Sequence, residues 1–128
     1  MTYHFSKTVL MPFETAIETV TAALKERGFG VLTTIDVKET LKKKIDVDFR
    51  PYTILGACNP QFAYQALQVE DKIGAMLPCN VVVQENPDGG VEVSAVDPAA
   101  SMQAIDNPQL AAIAGQVRES LQEVIDAL

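Results

Sequence analysis

The sequence predicts an α+β fold, a single domain over residues 1–128 with one sheet of about five strands and helices packed on one face. Three observations carry this. Segments of β-branched and alternating residues take turns with segments whose apolar residues recur every three or four positions. Four helix-start signals punctuate the chain, at Pro12, Asn59-Pro60, Asp97-Pro98 and Asn107-Pro108. Finally, the turn "NPDGG" at 86–90 joins two short strand-like runs into a hairpin.

Taken in order, "TYHFSKTV" at 2–9 alternates around Tyr3, Phe5 and Val9, broken by Lys7, and suits a strand with one wet face. Pro12 opens a helix whose Phe13, Ile17, Val20 and Leu24 form one stripe, and Gly28 stops it. The acidic Glu14, Glu18 and Glu26 fall on its wet side. "FGVLTTID" at 29–36 is the second strand, and Asp36 caps a short charged helix running to about Lys44. The third strand, "YTILGAC" at 52–58, is apolar on both alternations, as a central or doubly covered strand would be. Asn59 and Pro60 then start a helix with the stripe Phe62, Ala66, Val69 and Ile73. Beyond Gly74 and Pro78, "CNVVVQE" at 79–85 and "VEVSAV" at 91–96 are the hairpin strands. After Asn107-Pro108 comes the longest periodic segment, Leu110, Ala114, Val117, Leu121, Val124 and Leu128. It is too short and too poor in flanking charge pairs for a coiled coil, so it is read as packing on the sheet rather than as a dimer seam.

Composition narrows the function classes. The chain has a net charge of −7, which repels phosphate backbones, so no nucleic-acid partner is expected. The one basic run, Lys42–Lys44, would be spread around a helix and solvated. No apolar run approaches the ~20 residues of a membrane helix, and "MTYHFSK" is not of signal-peptide type. The expected location is the cytoplasm, with no membrane partner. Two cysteines there do not make a disulfide framework. No G-x-S-x-G elbow, glycine-rich phosphate loop or H-E-x-x-H is present, and no cofactor is expected.

The chemistry that remains gathers around Cys58, Cys79, Asn80 and Asp97. The hairpin sets Cys79, at the start of one strand, beside Asp97 at the end of the next. If the third strand runs antiparallel to the fourth, Cys58 joins them; if parallel, the cysteines stand about 20 Å apart, at 3.3 Å per residue. Cys58 precedes a helix N-terminus, which favours a thiolate, so one reading is a reactive thiol with Cys79 as its resolving partner. The other is two small buried apolar side chains. A metal is not expected: two thiolates and one carboxylate are a poor zinc set, and the lone His4 lies on the polar side of its strand. Asn59 is explained as a helix cap worth ~1 kcal/mol. Asn80 is not explained by strand propensity and either pins a neighbouring loop, faces solvent or touches a ligand.

"TLKKKIDVDFRPYTILGACNP" at 40–60 and "IGAMLPCNVVVQENPDGGVEVSAVDP" at 73–98 resemble domain-of-unknown-function family 302. The most specific pieces are "ILGACNP", "LPCNVVV" and the Asp97-Pro98 step. The resemblance implies a compact α+β domain with a mainly antiparallel sheet and admits a dimer. It implies no activity and no catalytic residues. Three functions fit the residues: a homodimeric small-ligand-binding module with its site near Cys58, Cys79, Asn80 and Asp97, a thiol redox or sensor protein using Cys58 and Cys79, and a purely structural homodimer.

Overall fold

The computed structural model describes residues 2–128. Its elements follow the expected order: β1 (His4–Val9), α1 (Phe13–Glu26), β2 (Gly30–Asp36), α2 (Val37–Ile45), β3 (Tyr52–Cys58), α3 (Pro60–Val69), β4 (Cys79–Glu85), β5 (Val91–Val96), α4 (Pro98–Ser101) and α5 (Pro108–Asp126). The strands form one sheet in the order β1-β5-β4-β3-β2. Every neighbouring pair is antiparallel. Of the two directions left open for β3, it is therefore the one that brings Cys58 and Cys79 to the same end.

Because side chains alternate across a strand, register sorts them into two faces. One face is built of the rows Leu55–Val81–Ala95–Phe5 and Thr53–Val83–Val93–Lys7. Against it pack the stripes of α1 (Ala16, Val20, Leu24) and α5 (Val117, Leu121, Val124), together with Phe29. Leu24, Val20, Val81, Val83, Ala95, Leu121 and Val124 are shut off from water completely. The long stripe of α5 is thus core, as its spacing suggested. A second, smaller cluster of Ala66, Ile73, Met102, Leu110 and Ala114 fills the space between α3 and α5.

One element differs from its expected extent. Ile73 does not lie on α3, which ends at Val69; it sits in a separate 3₁₀ turn, Ile73–Met76. The four-residue spacing was real in its consequence, since Ile73 is fully buried, but "EDK" at 70–72 carries the chain out of the helix first.

The asparagine and aspartate caps do more than start helices. Asn59 Oδ1 accepts from the N–H groups of Gln61 and Phe62, while its Nδ2 donates to the Arg27 carbonyl at 3.4 Å. Asn107 repeats this, with Oδ1 accepting from Gln109 and Leu110 and Nδ2 donating to the Val69 carbonyl at 2.8 Å. Each Asn-Pro step thereby ties the start of one helix to the end region of an earlier one. Gly28 completes the first junction: its φ of +83° is a left-handed conformation, and a Cβ there would come within 3.0 Å of Asn59 Nδ2.

Candidate functional site

The four candidate residues all lie where β3 and β5 end and β4 begins, but the sheet divides them. Ala57 is the strand partner of Cys79, so Cys58 and Cys79 come from adjacent strands. Both line a cavity of about 40 Å³ walled by Phe62, Ala66, Leu77, Met102 and Leu110, among others. Almost nothing polar faces it. That volume holds roughly three waters or one small apolar group. Cys79 is buried and Cys58 partly exposed, and both are free thiols. Burial, aided by the neighbouring Cys58, pushes the Cys79 thiol from 9.0 up to about 11.

Asp97 does not line this cavity; its neighbour Pro98 does. The Asp97 carboxylate is already engaged. Oδ1 caps α4 through the Ala99 and Ala100 N–H groups, and Oδ2 accepts from Arg118 Nε on α5 at 3.1 Å. Arg118 in turn lies over the Phe5 ring at 5.1 Å. These partners give Asp97 a complete structural role at the junction of β5, α4 and α5.

Asn80 is exposed and sits one residue from Cys79, on the other side of the sheet. Its strand partner is Gly56. There a different surface opens. Rows on this face run Ile35–Ile54–Val82–Ser94–Ser6 and Tyr52–Gln84–Glu92–Thr8. A recess of about 430 Å³ is lined by Tyr3, His4, Tyr52, Asn80, Gln84 and Ser94, with Val82, Glu92 and Val96. Two hydrogen-bonded chains cross it. His4 Nδ1 is 2.7 Å from Ser6 Oγ, which is 2.8 Å from Ser94 Oγ. Arg50 donates through Nε and Nη2 to Gln84 Oε1 at 3.1 and 2.9 Å, and Gln84 Nε2 donates to Glu92 Oε1 at 3.4 Å. Arg50 also stacks over Phe49 and Tyr52.

Asn80 and Val96 also line a neighbouring hollow of about 250 Å³, which reaches Leu77, Cys79 and Met102. Asn80 thus stands between the open sheet face and the cysteine end of the molecule. Among the described residues, no cluster of His, Cys, Asp and Glu is arranged to hold a metal. Nor is any helix among them long and apolar enough to cross a membrane.

The model of the domain of unknown function DUF302 matches residues 5–128. The chain belongs to this family. A crystal structure of an uncharacterised conserved DUF302 protein from Bacillus stearothermophilus shares 31% identity and superposes with a TM-score of 0.92 over 98% of each chain. A comparison with curated proteins finds no match. The DUF302 fold is therefore shared closely, while the chemistry has to be read from the site.

Sequence reasoning singled out Asn80 but not His4, Tyr52, Gln84, Glu92 or Ser94 as its neighbours. The signal was present in the hairpin. Strict alternation places Asn80, Val82 and Gln84 on one side of β4, and Glu92 and Ser94 on the same side of β5. What the alternation lacks is which side the helices will cover.

Proposed function

We propose that this DUF302 protein is a small-ligand-binding module of the cytoplasm whose ligand lies on the open sheet face, in the recess beside Asn80. The observation that carries this reading is the contrast in space and polarity. About 430 Å³ lined by tyrosines, amides, hydroxyls and a carboxylate falls within the ~300–1,000 Å³ range of small-molecule sites. The cysteine cavity, at about 40 Å³, is too small for a metabolite. Val82 offers an apolar floor, Tyr3 and Tyr52 offer ring faces, and Asn80, Ser94, Gln84 and Glu92 offer donors and acceptors. Such a lining suits a small planar polar molecule. Two free thiols agree with a reducing compartment.

Native mass spectrometry of protein isolated from its own host tests the reading. A small molecule retained by the wild type and lost from Ser94→Leu, which fills the recess, supports it. Retention by Ser94→Leu, or a bare chain after incubation with host metabolite extract, counts against it.

A thiol function is the second reading, favoured by the meeting of Cys58 and Cys79 across β3 and β4. With a peroxide as oxidant, two thiols and one hydrogen peroxide would yield one disulfide and two waters. The high pKa of Cys79 opposes it as the attacking group and leaves that role to Cys58. If peroxide treatment lowers the mass by two hydrogens without loss of fold, this reading gains. Simple over-oxidation of Cys58 removes it.

A further inference from the structure

The two edges of the sheet are finished differently. At one, β1 is charged by Lys7, whose Nζ donates to the carbonyls of Asp126 and Leu128 at the end of α5. At the other, β2 is exposed along nearly its whole length and pairs with β3 alone among the described residues. It contains no lysine, arginine or proline, and its single charge, Asp36, comes last. Its outward N–H and C=O groups form a template for another strand; the register shift between Val31 and Thr33 interrupts it once, and Thr33–Asp36 beyond it pair regularly with β3.

The helix beside this edge lies against β3 but is only loosely covered. α2 buries none of its side chains, yet Val37, Leu41 and Ile45 recur every four residues along it. Leu32 is 69% exposed, Ile35 48%, Ile45 64% and Val47 42%, four large apolar side chains within sixteen residues of sequence. An exposed edge strand and a helix whose Val37 and Leu41 are half-buried and whose Ile45 is exposed thus lie side by side.

Charge permits a second copy of the chain to cover them. Residues 30–50 hold five basic and four acidic groups, a net +1, against −8 over the rest of the chain. The lysines of α2 are locally neutralised: Lys42 pairs with Asp46 at 2.9 Å and Asp48 at 3.3 Å, and Lys43 with Glu39. Two molecules each carrying −7 repel one another overall, and a near-neutral segment such as this one is among the places where that repulsion is weak. A second copy presents the same unpaired strand, and antiparallel pairing of identical strands about a two-fold axis satisfies both at once.

We propose that two copies of this chain join through antiparallel pairing of their β2 strands, with the exposed apolar side chains of β2 and α2 closing over the seam. The two five-stranded sheets then become one continuous sheet. No residue lining the recess belongs to β2 or α2, so this assembly and the ligand reading stand or fall separately.

Sedimentation velocity of the purified chain decides the matter, with Leu32→Lys and Ile45→Glu as interface variants and Leu10→Lys as a control at an exposed site elsewhere. The wild type and the control are expected at twice the 13.9 kDa chain mass, and both interface variants at half that assembly mass with unchanged circular dichroism. A wild type that stays monomeric at tens of micromolar overturns the proposal. So does a dimer that survives both interface substitutions.

Discussion

Along β4, Cys79, Val81 and Val83 turn towards the helices and are closed off from water, whereas Asn80, Val82 and Gln84, one residue on in each case, face a recess no helix fills. The same backbone therefore serves two purposes. The covered side is apolar, close-packed and engaged in holding the domain together. The uncovered side keeps polar groups in cross-strand chains, where they are held by each other rather than by the core. On the proposed reading, stability and recognition are separated by a single step in sequence, so substitutions at neighbouring positions should have unlike effects.

The largest contrast comes from the core. Leu121→Ala, at a side chain with no exposure, should lower stability by ~2–5 kcal/mol in denaturant unfolding. Alkaline titration probes the same side through Cys79. Its thiol is raised to about 11, so between 9 and 11 the folded state holds a proton that the unfolded state has released. The associated stability is complete below pH 9 and falls as pH rises through 11, by about 2–3 kcal/mol at most. Comparing the wild type with Cys79→Ala across that window should show a steeper decline in the wild type. Equal slopes would mean that Cys79 is not held protonated by burial.

Gly56 sharpens the comparison because it lies on the open side yet tolerates nothing larger. A Cβ there would stand 2.7 Å from Pro78 Cγ and closer still to Thr33 Oγ1. Gly56→Ala should therefore cost ~1–3 kcal/mol, measured by thermal melting. The smallest effect is expected at Asn80→Ala. Its side chain is exposed, and stability should change by less than ~0.5 kcal/mol while ligand retention falls. A large loss of stability would instead make Asn80 a structural pin.

Much of the fold was legible because it is written locally. Asn59-Pro60, Asp97-Pro98 and Asn107-Pro108 announce helix starts through hydrogen bonds to the next two or three residues, and "NPDGG" announces the hairpin. The site was harder to read. Its lining comes from β1, β3, β4 and β5, and their adjacency depends on strand order, which no short window encodes. In "CNVVVQE" Val82 interrupts the polar alternation of Asn80 and Gln84, which weakens the mark of the wet face. Asp97 illustrates the converse. Its position beside Cys79 suggested chemistry, but only the fold reveals Arg118, twenty-one residues away, as its partner.

The separation of faces can be tested directly by recording backbone amide NMR shifts during titration with host metabolite extract. The account predicts shifts concentrated at Asn80, Val82, Gln84, Glu92 and Ser94, with the amides around Cys58, Phe62 and Leu110 unmoved. Shifts centred on the cysteine cavity instead, or none on the open face, would contradict it.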